Sequence, residues 1–141
     1  MPQIAQSDSE ITRCYAVMAE LRPHVTESEF VARVREMQAQ AYQLAFIEHD
    51  GVVVAVAGYR ITTSLHMGRH LYVEDLVVRS DARSQGHGAR FIDWLRERAR
   101  SADCRYLDLD SGTQRRLAHR FYFANGFTIA SYHFSEQLAE R

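Results

Sequence analysis

The sequence of 141 residues contains no lysine, because all 17 of its basic residues are arginines. A lysine Schiff base, a lysine general base and a Walker-type phosphate loop are therefore excluded. Any general base in this protein must instead be a carboxylate, a histidine or a tyrosine.

The chain also lacks an excess of charge and a long apolar run. Its formal net charge is −1, so no overall basic field predicts nucleic acid as a partner. The longest uncharged stretch, 121–135, is shorter than the roughly 20 apolar residues that a membrane-spanning helix needs. Asp8 and Glu10 stand where a signal peptide would be apolar. We expect one soluble, cytoplasmic domain covering residues 1–141, with no membrane partner.

Cysteine is scarce as well, and the two cysteines form neither a metal-ligand nor a disulfide spacing. We expect Cys14 and Cys104 to be small residues of the core. We therefore expect no metal site and no covalent enzyme intermediate.

Local patterns predict the order of helices and strands. Ser7–Glu10 and Thr26–Glu29 are capping boxes that open two helices within the first 40 residues. Asp50-Gly51 predicts a tight hairpin between two strands. The predicted strands are Tyr42–Glu48, Val52–Thr63, His70–Val78, Tyr106–Leu109 and Phe127–Phe134, and the later helices are 88–100 and Arg115–Ala124. This order is typical of an α/β sandwich with a mixed sheet.

One segment, Arg83-Ser84-Gln85-Gly86-His87-Gly88, lies directly between a predicted strand and a predicted helix. Its glycines let backbone N–H groups approach a ligand closely, and the helix adds its positive N-terminal end. Arg83 can add charge-assisted hydrogen bonds, so the segment predicts a diphosphate site. The alternative is a helix N-terminus that happens to contain two glycines.

Two motifs resemble those of the GNAT acetyltransferase superfamily. The first is Leu76-Val77-Val78 followed, after a short spacer, by Arg83-x-x-Gly86-x-Gly88-Ala89. The second is Ala118-His119-Arg120-Phe121-Tyr122 with Asn125-Gly126-Phe127. The resemblance implies a GNAT-like fold, with a mainly antiparallel sheet flanked by helices and a short first strand near residues 3–6. The loop 110–114 is about two residues longer than the common family pattern and resembles that of the aminoalkylphosphonate acetyltransferase branch.

The resemblance also implies roles for particular residues. Acetyl-CoA would be the cosubstrate, and the backbone of Leu76, Val77 and Val78 would hold its thioester carbonyl. Its diphosphate would bind at the turn that consists of Arg83, Ser84, Gln85, Gly86, His87, Gly88 and Ala89. Tyr122 would lie beside the sulfur of CoA and protonate the leaving thiolate. The alternative for Tyr122 is a core aromatic residue at helical spacing with Ala118 and Phe121.

An alkyl amine is protonated at neutral pH, so its attack on a thioester needs a base. The strand 71–78 carries two adjacent carboxylates among apolar residues, and we expect Glu74 to be the base, with Asp75 as second choice. Two adjacent carboxylates predict a negative local potential that attracts a cationic amine. The alternative is that one or both carboxylates pair with arginines on neighbouring strands, such as Arg60 or Arg69.

These observations favour an acetyl-CoA-dependent N-acetyltransferase that acts on a primary amine of a small molecule through a ternary complex. Two alternatives stay open: an acetyltransferase that acts on proteins or peptides, and a non-catalytic acyl-CoA sensor with the same fold. Whether the protein forms a homodimer is also left open by the sequence.

Overall fold

In a computed structural model that describes all 141 residues, the chain divides into two units, Met1–Leu109 and Asp110–Arg141. That residues 1–141 form one domain stays a prediction from chain length.

The first unit contains five strands and three helices, nearly at the predicted bounds. The strands are β1 (Gln3–Ile4), β2 (Tyr42–His49), β3 (Val52–Ser64), β4 (Gly68–Val78) and β5 (Tyr106–Leu109). The helices are α1 (Asp8–Leu21), α2 (Glu27–Gln38) and α3 (His87–Ser101), with a 3-10 turn at Ser80–Ala82. No helix of the protein combines the length and the apolar character needed to cross a bilayer.

Both capping boxes form at the predicted helix starts. Ser7 Oγ accepts the N–H of Glu10 at 3.1 Å, while Glu10 Oε1 accepts the N–H of Ser7 at 3.0 Å. The same reciprocal arrangement joins Thr26 and Glu29 at the start of α2. These local contacts satisfy amide groups that a helix N-terminus leaves unpaired, which is why the two starts could be read from sequence.

The sheet is mixed, as predicted, with strand order β1-β2-β3-β4-β5. Each pair from β1 to β4 is antiparallel, and β5 pairs with β4 in parallel. A separate apolar cluster covers each face of the sheet. Side chains of α1 and α2 pack on one face, including Ile11, Val17, Phe30 and Val34. Side chains of α3 pack on the other, including Phe91, Leu95 and Ala99.

The second unit contains one helix, α4 (Arg116–Ala124), close to its predicted bounds. The predicted strand Phe127–Phe134 is wrong, because none of these residues pairs with a strand. A strand is stabilised by its ladder and by packing against its neighbours, so a run of β-forming residues is not sufficient. Ile129, Tyr132 and Phe134 accordingly remain exposed.

Gly58 of β3 lies against two buried polar side chains, those of Tyr42 and Asp75. A Cβ at this position would overlap the hydroxyl of Tyr42 and lie 2.6 Å from Asp75 Oδ2. We expect Gly58→Ala to lower the free energy of unfolding by about 1–3 kcal/mol, because both neighbours are buried. Urea unfolding measures the change.

Gly112→Ala is the matched control for that substitution, since a Cβ there meets the flexible end of Gln114 rather than a buried group. Equal stability of the Gly58→Ala and Gly112→Ala variants would contradict the packing that we describe.

Candidate active site

Strand β4 carries an extra residue, Glu74, opposite β3. Gly58 pairs with Asp75 and Tyr59 pairs with Val73, which leaves Glu74 without a partner on β3. Since side chains alternate along a strand, one extra residue moves the following side chains to the opposite face. Val73 therefore belongs to the cluster beneath α3, whereas Val77 belongs to the cluster beneath α1 and α2. Strand β4 thus contains a β-bulge at Glu74.

The Glu74 carboxylate forms an ion pair with an arginine of β3. Arg60 Nε donates to Glu74 Oε2, and Arg60 Nη1 donates to the carbonyl of Gln40 at 3.0 Å. The Arg60 guanidinium also lies over the ring of Tyr42, 5.7 Å from its centroid. Arg60 therefore fixes the orientation of the Glu74 side chain, which keeps 27% of its surface exposed.

Asp75 is buried and uses both of its carboxylate oxygens. Tyr42 Oη donates to Oδ2 at 2.7 Å, and Arg22 Nε donates to Oδ1 at 2.9 Å. Burial raises the pKa of Tyr42 well above its usual range, and the Asp75 charge raises it further. The Tyr42 hydroxyl thus stays protonated and remains a donor. Because both Asp75 oxygens are occupied, the geometry favours Glu74 as the candidate base.

Arg22 connects the end of α1 to the bulge. Its Nη2 donates to the carbonyl of Glu74 at 2.8 Å, while its Nε holds Asp75. Arg69, the other partner considered from sequence, donates instead to the carbonyl of Ala102 at 2.6 Å. Since each of the two adjacent carboxylates has an arginine partner, the net negative potential expected from them is absent.

Beyond the bulge, β4 has no strand paired with it on the side of β5. The parallel pairing of β4 with β5 ends where Val73 meets Leu109, the last residue of β5. Leu76, Val77 and Val78 pair only with β3. Backbone groups on this edge are therefore available to an incoming carbonyl, which is the arrangement that an oxyanion site requires.

The segment after β4 forms an exposed turn that leads into α3. Ser84 and Gly86 adopt positive φ values of 64° and 84°, and Gly86 is the N-cap of α3. No side chain caps this helix start, so its first amides point out of the helix without an intrahelical acceptor. The backbone can approach an anion closely here because Arg83, Ser84, Gln85 and Gly86 are all exposed.

Two arginines flank the turn, and sequence reasoning identified only one of them. Arg83 is exposed, with its Nη2 4.0 Å from Glu20 Oε1. Arg90 Nη2 lies 2.7 Å from His87 Nδ1, to which it donates, and also donates to the carbonyl of Gln85 at 3.2 Å. Burial lowers the pKa of His87, and the Arg90 charge lowers it further. His87 is therefore neutral at pH 7, and the positive charge at the turn comes from Arg83 and Arg90.

In the second unit, Tyr122 lies half-buried on α4. Its ring contacts those of Phe121 and Phe127, with centroids 5.5 Å and 5.8 Å away. Burial raises the pKa of Tyr122, and the nearby Arg115 opposes that effect. The phenol is therefore protonated at neutral pH, as a proton donor must be.

Neither cysteine has the character of a nucleophile. Cys14 is buried in α1, and burial raises the pKa of its thiol to about 12. Burial also raises the pKa of Cys104. Since the thiolate is the reactive form, both cysteines are expected to be inert in the folded protein.

Comparison with known proteins identifies a family over most of the chain. Residues 9–127 match the model of the acetyltransferase (GNAT) family. An uncharacterized N-acetyltransferase of Bacillus subtilis strain 168, YhdJ, is 35% identical over 134 residues, which is 94% of each chain. An aminoalkylphosphonate N-acetyltransferase of Salmonella typhimurium is 34% identical over 82 residues, or 53% of each chain.

Solved structures show the same fold at low sequence identity. A transcriptional regulator from Bacillus halodurans C-125 superposes with a TM-score of 0.87 and 21% identity, over 98% of this chain and 99% of that one. An aminoglycoside N-acetyltransferase, AAC(6')-Iy, in complex with CoA superposes with a TM-score of 0.79 and 13% identity, over 99% of both chains.

Proposed function

The chain belongs to the GNAT family of acetyltransferases, and we propose that it transfers the acetyl group of acetyl-CoA to a primary amine on a small molecule. It is an acyltransferase, and acetyl-CoA is the acyl donor that this family uses. The observation that carries the proposal is the geometry of β4. This strand presents the Glu74 carboxylate at its bulge. The residues Leu76–Val78 beyond the bulge have no strand paired with them on the side of β5, and the turn that contains Gly86 follows the end of the strand.

These features match the needs of acyl transfer from CoA. The exposed amides at the start of α3, with Arg83 and Arg90, suit the diphosphate of CoA. The free β4 edge at Leu76–Val78 suits the thioester carbonyl, whose oxygen gains negative charge as the amine attacks. Both sites lie on one continuous stretch of chain, so a single extended ligand can reach from one to the other.

The proposed chemistry combines these features with the role that the family resemblance implies for Tyr122. Glu74 accepts a proton from the ammonium group, directly or through water, and the neutral nitrogen attacks the thioester carbon. A C–N bond forms, the C–S bond breaks, and the Tyr122 phenol protonates the departing thiolate. The attacking nitrogen loses its second proton to solvent as the amide forms, solvent restores the proton of Tyr122, and Glu74 releases its proton, so one proton is released per turnover. Asp75 positions the bulge instead of acting as the base, and no covalent enzyme intermediate forms.

A comparison of acceptors tests this function. Release of free CoA thiol is measured with simple diamines, aminoalkylphosphonates and short peptides at equal concentration, and also with no acceptor. We expect rapid release with one or more small amines and slow release without them. If only peptides are acetylated, the protein is an acetyltransferase that acts on proteins or peptides instead of on small molecules. Absence of turnover with every acceptor would favour a binding protein.

Gly86→Asp tests the proposed diphosphate site. The new side chain strains a residue with positive φ and places a negative charge against the ligand. We expect calorimetry to show acetyl-CoA binding weakened at least about tenfold, or ~1.4 kcal/mol. Gly68→Asp is the matched control, since Gly68 also has positive φ but lies at the opposite end of β4. Unchanged affinity in a folded Gly86→Asp variant would remove this assignment.

Tyr122→Phe tests the proposed acid. The substitution keeps the ring and removes only the hydroxyl, so acetyl-CoA affinity should persist. Loss of a general acid is typically worth roughly 10²–10⁴-fold in rate, and we expect kcat to fall within that range. Phe123→Leu, at an exposed position of the same helix, provides the control. Full turnover by Tyr122→Phe would reduce this residue to a packing role.

A further inference from the structure

We propose that Arg22 is a specificity-determining residue that selects amines bearing an acidic group, a carboxylate or a phosphonate, a few bonds from the nitrogen. This inference rests on the proposed acetyl transfer and names the class of acceptor for it. It starts from the one nitrogen of Arg22 that the protein's own groups do not use.

The Arg22 guanidinium is held in place by two of its three nitrogens. Nε donates to Asp75 and Nη2 to the carbonyl of Glu74, whereas Nη1 makes no hydrogen bond within the protein. The side chain keeps 40% of its surface exposed.

The segment that carries Arg22 is itself fixed. Tyr15 Oη donates to the carbonyl of Val25 at 2.8 Å, and the Arg22 N–H donates to the carbonyl of Met18 at 2.8 Å. Asp75 is in turn oriented by Tyr42. Because backbone and guanidinium are both constrained, little conformational entropy is lost when a ligand binds Nη1.

The charges around the bulge favour a zwitterionic acceptor over a simple cation. Glu74 and Asp75 carry two negative charges, and Arg60 and Arg22 carry two positive charges. A purely cationic amine therefore gains no net attraction. An amine with an acidic group can direct its ammonium to Glu74 and its anion to Arg22, which contacts the carbonyl of the same residue.

Arg60 is less suited to this role. It is already engaged with the Glu74 carboxylate and the Gln40 carbonyl, it lies over the Tyr42 ring, and only 24% of its side-chain surface is exposed. An anion bound to Arg60 would compete directly with the proposed base. An anion bound to Arg22 would not compete for the Glu74 carboxylate.

Four acceptors of similar length test the proposal: β-alanine, 2-aminoethylphosphonate, propylamine and 1,3-diaminopropane. We expect kcat/KM for at least one of the two acids to exceed that for propylamine and for the diamine by about ten- to hundredfold. The better of the two acids shows whether the site prefers a carboxylate or a phosphonate.

Substitutions at Arg22 separate recognition from structural support. Arg22→Lys keeps a positive charge beside Asp75 but loses the forked donors of the guanidinium. The double variant Arg22→Gln with Asp75→Asn removes both charges, so that no carboxylate is left buried and unpaired. Each should raise KM for the acids at least about tenfold more than KM for propylamine, whose own change reports how far the bulge is disturbed. Arg33→Gln, at an exposed arginine of α2 that pairs with Glu29, should change none of the four. Thermal unfolding and acetyl-CoA affinity confirm that each variant is folded.

Two results would overturn the inference alone. The first is a higher kcat/KM for propylamine or the diamine than for both acids. The second is an equal loss of kcat/KM for all four acceptors in both Arg22 variants. The second result would mean that Arg22 only supports the bulge. Acetylation of none of the four by a protein that acetylates another small amine would also overturn the inference alone, whereas turnover with no amine at all would overturn the proposed function and the inference together.

Discussion

The extra residue in β4 is the constraint on which the arrangement of the first unit depends. Before the bulge, Leu71 and Val73 of β4 belong to the apolar cluster beneath α3; after it, the odd-numbered Val77 belongs to the cluster beneath α1 and α2. In a regular register Glu74 would pair with Gly58 and Asp75 with Ala57, which would place Asp75 in the cluster beneath α3, where burying a charge among apolar groups costs several kcal/mol. The bulge instead brings Asp75 to the face where Tyr42 and Arg22 can bind it.

The hydrogen bonds and the ion pair around Asp75 contribute more to the geometry of the bulge than to the free energy of unfolding. A buried ion pair gains little net free energy, because desolvation offsets the attraction between the charges. What this pair provides is a fixed backbone. Arg22 ties the carbonyl of Glu74 to the end of α1, and Gly58 leaves the space that the Tyr42 hydroxyl and Asp75 occupy. The position of the proposed base is thereby set by residues that do not themselves take its proton.

The parts of this structure that sequence predicted well are those determined by neighbours along the chain. Capping boxes, the Asp50-Gly51 turn and the glycine turn before α3 depend on contacts within a few residues. The partners of Asp75 lie 53 and 33 residues away, at Arg22 and Tyr42, and no local pattern identifies either one. The predicted strand Phe127–Phe134 failed for a related reason, since its composition favours β structure but no strand pairs with it.

A chain that uses only arginine for its basic residues can stabilise irregular backbone in a way that lysine cannot. Arg22, Arg60 and Arg90 each contact one side chain and one backbone carbonyl. The carbonyls belong to Glu74 in the bulge, Gln40 before β2 and Gln85 in the turn before α3. Such segments lack regular ladder partners, so their carbonyls need donors from elsewhere.

A planar guanidinium supplies two donors in a fixed fork, whereas an ammonium is a point charge on a flexible stem. Each of these arginines therefore fixes a segment of backbone and leaves a positive charge beside it. The bulge and the turn are the two segments where the proposed reaction needs both a rigid backbone and an affinity for negative charge. In this protein one residue type meets both requirements.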